Sequence, residues 1–303
     1  MVTMRHLRYL VALAETRHFG RAAELCHVTQ PAMSAQIREL EEMLGIDLVE
    51  RRRGAIAITS EGEEIVRRAA AVVASVRDIE DLARQRQGVL VGPLALGIIP
   101  TVAPYLLPLC LATLRARHPR LEPRLRETRT TSLLAELAAG RIDVAILALP
   151  VDRPELETLA LFTDRFLLAT AADDPDAAAG PADAATIRPE RLLLLEDGHC
   201  LREQALAHCR LASAANLATL GATSLTTVLQ MVAAGYGVTL MPELVARAGF
   251  DDPRIVLRPF REPAPAREIA LAWRAASPRR KDFQALGRLV TECWKAADGR
   301  AAA

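Results

Sequence analysis

The first sixty residues predict short amphipathic helices separated by tight breaks. Apolar positions recur at helical spacing from about Arg5 to Thr16, and again on either side of a break near residues 26–28. The third helix is expected to be capped by Thr29 and ended by Gly45. Two short helices joined by a tight turn are typical of a helix-turn-helix, whose polar tip suits base edges and phosphates. The predicted DNA-contacting residues of this tip are Thr29, Gln30, Pro31, Ser34 and Arg38.

A basic run follows these helices. Arg51, Arg52 and Arg53 precede a short alternating stretch at residues 55–59, which predicts a strand. We interpret the segment as a β-wing that contacts the DNA backbone or minor groove, although a charge run is also typical of a solvated surface turn. Residues 1–60 are therefore predicted to form a winged helix-turn-helix DNA-binding domain.

Residues 61–87 predict one long charged helix. Its apolar positions step by alternating fours and threes, which is the a/d spacing of a coiled coil. These positions are Ile65, Ala69, Val72, Val76, Ile79 and Ala83. Such a seam could pack on its own domain, but beside a DNA-binding unit it favours a dimerisation linker helix.

The rest of the chain, residues 88–303, alternates strand-like and helical patterns. Strands are predicted at residues 90–99, 142–149, 166–171, 192–195, 238–241 and 269–273, and helices at 102–117, 133–139 and 225–234. This alternation predicts an α/β domain with mostly parallel sheets covered on both faces. The pattern breaks near Leu161 and Arg261, which indicates two lobes joined by crossing strands. Lobe 1 would hold about 88–162 and 267–303, and lobe 2 about 163–266.

One segment, residues 195–211, combines a helical pattern with two cysteines. Cys200 is expected in the first helical turn, where free N–H groups, His199 and Arg202 would favour its thiolate. Cys209 follows nine residues later. Nine helical residues rise about 13.5 Å, whereas a disulfide joins Cα atoms about 4.4–6.8 Å apart. The two cysteines can pair only if the helix refolds, so oxidation would be a conformational switch. Both could equally be ordinary buried thiols.

Composition and cysteine usage indicate the cellular compartment that is expected for the protein. The chain of 303 residues carries a formal net charge of +1, so any nucleic-acid role must come from local clustering. No signal peptide or membrane span is visible, and five cysteines, an odd number, do not suit a secreted disulfide framework. A reducing cytoplasm is therefore expected. Cys26, Cys110 and Cys293 lie in helical patterns and are interpreted as packing residues. No metal site is predicted from the Cys and His spacing, and no cofactor.

Three ordered runs near the N-terminus carry a family resemblance. They are residues 19–25, 30–41 and 44–48, followed by Arg51. Together they resemble the DNA-binding domain of LysR-type transcriptional regulators. The resemblance implies a winged helix-turn-helix, a dimer-forming linker helix and a two-lobed effector domain that resembles a periplasmic binding protein, with a ligand site between its lobes.

A narrower resemblance lies in the effector region. Residues 97–108, 195–205, 222–225 and 231–235 resemble the peroxide-sensing members of this family. The resemblance implies that Cys200 senses peroxide and that Cys209 resolves it into a disulfide. It also implies four peroxide-binding residues, namely Thr101, Thr130, His199 and Arg202. Donors around both peroxide oxygens are what O–O cleavage requires, although either threonine could instead begin a helix. The Ala-rich segment 210–222 departs from the more polar sequence usual in these members.

The sequence therefore predicts a hydrogen-peroxide-sensing transcription regulator switched by a Cys200–Cys209 disulfide. Its expected partners are double-stranded promoter DNA, hydrogen peroxide and further copies of the chain, as a dimer of dimers. RNA polymerase is a further candidate partner, and no membrane association is expected. One alternative is a LysR-type regulator of an organic effector whose cysteines are incidental. The other is a thiol peroxidase, against which residues 4–60 argue because a catalyst has no use for a DNA-binding domain.

Overall fold

The computed structural model describes residues 1–52, 55–84, 88–177, 180–209 and 221–298. The chain divides into two compact units, one of residues 1–86 with 138–141 and one of residues 87–137 with 142–303. Within the described ranges, no helix is long and apolar enough to cross a membrane.

The first unit is a winged helix-turn-helix followed by a long helix. Its elements are α1 (Met4–Thr16), α2 (Phe19–Leu25), α3 (Gln30–Leu44), the strands β1 (Val49–Arg52) and β2 (Ala55–Ile58), and α4 (Ser60–Arg84). The predicted cap of α3 is confirmed, because the Thr29 side chain accepts the backbone N–H of Ala32 at 3.4 Å. Gly45 ends the helix in the left-handed conformation, at φ 69°.

The wing is held to α3 by one carboxylate. β1 and β2 pair antiparallel, so the strand predicted at residues 55–59 is one half of a hairpin. Oε1 of Glu41 accepts the backbone N–H groups of Leu48 and Val49 at 2.9 and 3.1 Å. Because both donors lie where the chain enters β1, Glu41 fixes the start of the wing against the second helix of the motif.

α4 has one face in the core of the first unit and another in solvent. Ala69, which lies on the predicted seam, is buried and packs in that core. Val72 and Ile79, on the same seam, are 44% and 68% exposed. The seam is therefore split between packing inside the unit and a free apolar surface. Residues 85–87, the predicted end of this helix, lie outside the described residues.

The second unit contains the α/β elements. Its strands are β3 (Gly92–Ile98), β4 (Leu121–Glu127), β5 (Val144–Ala148), β6 (Leu156–Ala171), β7 (Leu194–Leu195), β8 (Gly221–Ala222), β9 (Thr239–Pro242), β10 (Ile255–Pro259) and β11 (Ala266–Arg274). Its helices are α5 (Ala103–Arg117), α6 (Thr130–Ala138), α7 (Cys200–His208), α8 (Leu225–Ala233), α9 (Glu243–Arg247) and α10 (Arg280–Asp298).

Two long strands connect the lobes of this unit. The main sheet runs in the order β10-β6-β11-β5-β3-β4, with β9 also paired to β6. β3 is parallel to β4 and β5, but β11 runs antiparallel to β5 and β6, and β6 runs antiparallel to β9 and β10. The expectation of mostly parallel sheets is therefore wrong around β6 and β11. These strands cross between the lobes instead of alternating with covering helices, which is why their neighbours run against them.

Three strands of the second unit have no counterpart in the sequence prediction, namely β4, β10 and the two-residue β8. All residues of β4 except Leu121 are exposed, so this edge strand lacks the apolar run by which a strand is recognised. β10 carries mostly half-buried residues and pairs with the outer part of β6.

Each lobe has its own hydrophobic core. The lobe 1 core consists of buried side chains from β3, β5, α5, β11 and α10, and the lobe 2 core of buried side chains from β7, α7, α8 and β9. Both tryptophans of the chain lie in the lobe 1 core. Trp294 stacks on Phe162 with 4.2 Å between ring centroids, and Trp273 packs against Phe283.

Candidate redox site

The two predicted redox cysteines lie at the ends of α7. Cys200 is the first residue of this helix, and Cys209 follows its last residue, where its backbone N–H donates to the Ala205 carbonyl at 3.0 Å. Both thiols are free. From its position just before the helix, Asp197 is a plausible cap, but the structure contradicts this. His199 occupies the cap position without a side-chain cap bond, and the Asp197 carboxylate pairs with Arg202 at 2.8 Å.

The cysteines pack against different cores, as a separation of two and a half helical turns predicts. Cys200 is half-buried and packs against the lobe 1 core. Cys209 is buried in the lobe 2 core, together with Leu201 and Ala205 of the same helix. Burial raises the pKa of the Cys209 thiol to about 11. This thiol is therefore almost fully protonated at neutral pH, and a protonated thiol is a poor nucleophile.

Arg202 holds the loop that precedes α7. Its guanidinium donates to the Leu195 carbonyl at 3.0 Å and pairs with Asp197. Of its five N–H donors, these contacts leave some for a further ligand. In this structure Arg202, which is predicted to bind peroxide, therefore stabilises the turn before Cys200.

His199 is buried and its pKa is lowered. Burial, which penalises the charged imidazolium, is the main cause, and the nearby positive charge of Arg129 adds to it, while Glu196 opposes both. The imidazole is therefore neutral at neutral pH. One ring nitrogen of a neutral imidazole is a donor and the other is an acceptor.

A second arginine covers the same loop. Gly198 has φ +88°, and a Cβ at this position would lie 3.3 Å from Cδ of Arg129. The positive φ favours glycine at this position, and a Cβ would also require the Arg129 side chain to shift by a few tenths of an ångström. Arg129 directly precedes α6 and also lies 3.7 Å from the Glu196 carboxylate. The loop before Cys200 is thereby placed against the start of α6.

The two predicted threonines differ in their bonding. Thr130 is the first residue of α6, and its buried hydroxyl has no hydrogen-bond partner among the described residues. The Thr101 hydroxyl is buried and accepts from Nη1 of Arg267 at 2.9 Å. Thr101 does not cap α5, because the cap position is Val102. Since its oxygen is held by Arg267, its own O–H proton remains available to a ligand.

A buried ion pair behind Thr101 was not predicted from the sequence. Arg267 and Asp164 are fully buried and 2.9 Å apart, and the Asp164 carboxylate also accepts the Leu244 backbone N–H at 2.9 Å. Arg267 additionally donates to the Thr101 carbonyl at 3.2 Å. An arginine within the apolar strand β11 was the available signal, since buried arginines need partners. One residue earlier, the Ala266 carbonyl accepts from Nε2 of His208 at 3.0 Å, which anchors the end of α7 to this strand.

Gln204 is a further polar residue that sequence reasoning missed. It lies one helical turn after Cys200 and therefore on the same side of α7. Its Oε1 is buried without a hydrogen-bond partner in the part of the chain that the structure describes. A buried acceptor of this kind is costly unless a water or ligand satisfies it.

The predicted DNA-contacting tip is presented to solvent. Gln30 and Arg38 are exposed, as are Thr29 and Pro31, while Ser34 is half-buried. Gln30, Ser34 and Arg38 are spaced by four residues, so they share one face of α3. Arg51 and Arg52 lie in β1, and Arg53 lies outside the described residues.

The family follows from two matches. Residues 4–63 match the family described as "Bacterial regulatory helix-turn-helix protein, lysR family", and residues 87–294 match the "LysR substrate binding domain". The chain belongs to the LysR family of bacterial regulators, as its N-terminal motifs predicted.

Two relatives show which members of this family the chain is similar to. The DNA-binding transcriptional dual regulator OxyR of Escherichia coli K12 is 42% identical over 289 residues, which are 95% of each chain. The hydrogen peroxide-inducible genes activator of Haemophilus influenzae is 39% identical over 291 residues, covering 96% of this chain and 97% of that protein.

Solved structures agree with these relatives. A full-length OxyR from Pseudomonas aeruginosa with a cysteine-to-aspartate change matches at a TM-score of 0.80 and 36% identity, over 96% of this chain and 95% of that one. A cysteine variant of Corynebacterium glutamicum OxyR with hydrogen peroxide bound matches at a TM-score of 0.69 and 35% identity, over 99% and 95%.

Proposed function

We propose that this chain is a hydrogen-peroxide-sensing, DNA-binding transcription regulator in which a disulfide between Cys200 and Cys209 is the switch. The observation that carries the proposal is the placement of these residues at opposite ends of α7, in contact with different cores. Relatives named as peroxide-inducible activators, and a related structure that contains peroxide, support the same ligand.

The chemistry requires one peroxide molecule. The Cys200 thiolate attacks one peroxide oxygen, the O–O bond breaks, and the departing hydroxide takes a proton to become water. The sulfenic acid left on Cys200 then condenses with the Cys209 thiol and releases a second water. Two thiols are oxidised to a disulfide, and one peroxide is reduced to two waters.

Four side chains form the proposed peroxide site: Thr101, Thr130, His199 and Arg202. The unpartnered Thr130 hydroxyl is a buried polar group that a small polar ligand would satisfy. The Thr101 hydroxyl accepts from Arg267 and can still donate its own proton to a ligand, and neutral His199 can accept a proton. The buried Oε1 of Gln204 adds an acceptor for a peroxide O–H.

Disulfide formation must unfold α7. The intact helix separates the two Cα atoms by about 13.5 Å, and a disulfide permits about 4.4–6.8 Å. Cys209 must also leave the lobe 2 core, which exposes its thiol to water and removes the cause of its high pKa. Unfolding of the helix therefore both brings the thiols together and activates the second one. Segment 210–222, through which the repacking would extend, lies mostly outside the described residues.

The remaining domains connect this switch to DNA. We assign residues 1–60 to DNA binding, 61–87 to dimerisation and 88–303 to sensing. The tip residues of α3 would read bases, while Arg51, Arg52 and Arg53 would contact phosphates. The exposed apolar side chains of α4, Val72 and Ile79, would form the dimer seam. Pairing of such dimers and contact with RNA polymerase would follow at the promoter.

Mass spectrometry of the full-length protein after a brief peroxide pulse tests the proposal. We expect a loss of two hydrogens, about 2 Da, mapped to a Cys200–Cys209 link, together with a change in promoter affinity. Cys209→Ser should stop at a sulfenic acid that dimedone traps, and Cys200→Ser should abolish both changes. If Cys200→Ser still responds to peroxide, the sensor is not this cysteine. If the link forms and promoter binding never changes, it is not the switch.

A further inference from the structure

A second pair of cysteines lies in lobe 1, far from α7. Cys110 is buried on α5 and Cys293 is buried on α10, and these two helices pack against each other. The two thiols are close enough to influence each other, because burial raises the pKa of Cys110 and the neighbouring Cys293 raises it further. Both belong to the lobe 1 core, so no helix has to unfold before they can react with each other.

A cavity gives one of these thiols access to small molecules. The groove between α5 and α10 contains a cavity of about 160 Å³ whose lining includes Thr113 and Arg117 from α5 and Cys293 from α10. Arg117 forms an ion pair with Glu292 across the groove. Glu292 is the main cause of the raised pKa of Arg117, and Cys293 adds to it, so the guanidinium lies near the Cys293 sulfur in the same groove. The volume is several times the roughly 30 Å³ that one water occupies in the liquid, so a peroxide molecule fits.

We propose that Cys110 and Cys293 are a second peroxide-oxidisable dithiol, which forms a disulfide between α5 and α10 at higher peroxide exposure than the α7 pair. Cys293 is the peroxidatic residue, because it lines the cavity together with the positively charged Arg117. Cys110 is the resolving residue, because it lies behind Cys293 in the core.

The reaction balances with peroxide alone. The Cys293 thiolate attacks one peroxide oxygen, the O–O bond breaks, and hydroxide leaves as water after protonation. Cys293 is now a sulfenic acid, and the Cys110 sulfur displaces its hydroxyl as a second water. The raised pKa of Cys110 makes its thiolate scarce, so this condensation is slow. Both thiols are also more buried than Cys200, so the second couple reacts only when peroxide persists.

The bond would join two helices that are already in contact. α5 begins directly after Thr101 and Val102, beside the proposed peroxide site, and α10 is the last helix of the described chain. The disulfide would thus hold the start of α5 in place without changing the fold. It would strengthen lobe 1 during oxidative stress and would not by itself signal to DNA.

The test removes the α7 pair from the full-length chain. The Cys200→Ser/Cys209→Ser variant retains Cys26, Cys110 and Cys293. It is treated with increasing hydrogen peroxide, unfolded in alkylating reagent and mapped without reduction. Before alkylation, the oxidised protein should be about 2 Da lighter than the reduced protein. After alkylation, Cys26 should be alkylated and one cross-linked peptide should join residues 110 and 293. This link should form at least about tenfold more slowly than the wild-type Cys200–Cys209 link.

Three further variants in the same background decide the assignment. Cys293→Ser should abolish oxidation, Cys110→Ser should leave a sulfenic acid at residue 293 that dimedone traps, and Cys26→Ser should change nothing. Cys293→Ala replaces the serine variant if circular dichroism shows that it misfolds. Three alkylated thiols after peroxide treatment, or a link that survives without Cys293, would overturn the proposal. Because every variant in this test lacks Cys200 and Cys209, the result does not depend on whether the α7 pair forms a disulfide in the wild-type protein.

Discussion

The two cysteine pairs of the effector unit share their chemistry and differ in their geometry. Cys200 and Cys209 lie at opposite ends of one helix and pack against different cores, whereas Cys110 and Cys293 lie on two packed helices within one core. Oxidation of the first pair must destroy a helix. Oxidation of the second pair requires no such change.

Because of this difference, a disulfide in the first pair can act as a conformational signal, whereas one in the second pair only stabilises the existing fold. A disulfide conveys information only if the reduced fold keeps its cysteines apart, because the bond must then select another conformation. A disulfide between adjacent thiols selects the conformation that already exists and only makes it harder to leave. The distance between two thiols before oxidation therefore decides which of these functions a pair can have.

Hydrogen exchange should show the largest difference between the pairs. When the wild-type α7 pair is oxidised, amides of residues 203–209 should exchange about 100-fold faster or more, because their helical hydrogen bonds are lost. Oxidation of the Cys200→Ser/Cys209→Ser variant should leave the amides of α5 and α10 equally protected or better protected. Unchanged exchange in α7 after the disulfide has formed would remove the contrast between the pairs.

Alkylation rates should rank the four thiols. A pKa of about 11 leaves roughly one thiolate in a thousand at pH 8 for Cys209, against roughly a quarter for an ordinary thiol. Cys209 should therefore react with iodoacetamide more than about 100-fold more slowly than free cysteine, and more slowly than the half-buried Cys200, when the rates are followed by peptide mass spectrometry. In lobe 1, Cys293 should react before Cys110. Comparable rates for Cys200 and Cys209 would show that the fold does not protect the second thiol.

Replacement of Thr101 or Thr130 should slow oxidation of the α7 pair only, and the two replacements should differ in their effect on the free energy of unfolding. Thr101→Val removes the acceptor of a buried arginine and should cost about 1–3 kcal/mol, because the Arg267 donor is left unsatisfied. Thr130→Val removes a hydroxyl without a partner in the described chain and should be neutral or stabilising by up to about 1 kcal/mol. Denaturant unfolding measures both.

Peroxide kinetics on the same variants complete this comparison. Each variant should slow oxidation of Cys200 and leave oxidation of Cys293 unchanged. Equal destabilisation by the two substitutions would contradict the difference in their bonding, and a slower Cys293 would show that the two sites are not independent.

The smallest expected effect is a pH dependence from His199. Its pKa is lowered in the folded state, so the unfolded state binds more protons just below the unperturbed value of about 6.5. Stability of the second unit should therefore fall as pH drops below about 6.5, and the loss should stop below the folded pKa. His199→Gln should flatten the slope of melting temperature against pH just below about 6.5. An unchanged slope would assign the effect to other groups.

Local signals in the sequence were sufficient for the first unit. The cap at Thr29 and the glycine at position 45 use only nearby backbone, so residue identity alone defines α3. Neither the plausible cap at Asp197 nor the alternative role of Thr101 as a cap is found in the structure, for the opposite reason. Arginines recruit both side chains, Arg202 from the next turn and Arg267 from a distant strand, and a local pattern does not include such competitors.

Contacts between distant elements account for most of what the sequence could not predict. Helical periodicity identified Cys110 and Cys293 as packing residues, and both are buried. It specifies which face of a helix is apolar but not which helix lies opposite, so the proximity of the two thiols was invisible. The same holds for the ion pair of Asp164 with Arg267, whose members lie on separate strands.

The placement of Trp273 and Trp294 gives the two pairs different optical signatures. Both fluorophores lie in the lobe 1 core, and Trp294 directly follows Cys293 in the chain. Disulfides quench nearby indole emission, so a bond at Cys293 should dim the intrinsic fluorescence. Rearrangement of α7 takes place mainly on the lobe 2 core, and of this helix Cys200 packs against the lobe 1 core, so the emission should change less than with a bond at Cys293. Tryptophan fluorescence can therefore distinguish early oxidation of the α7 pair from later oxidation at Cys293, without a label or proteolysis.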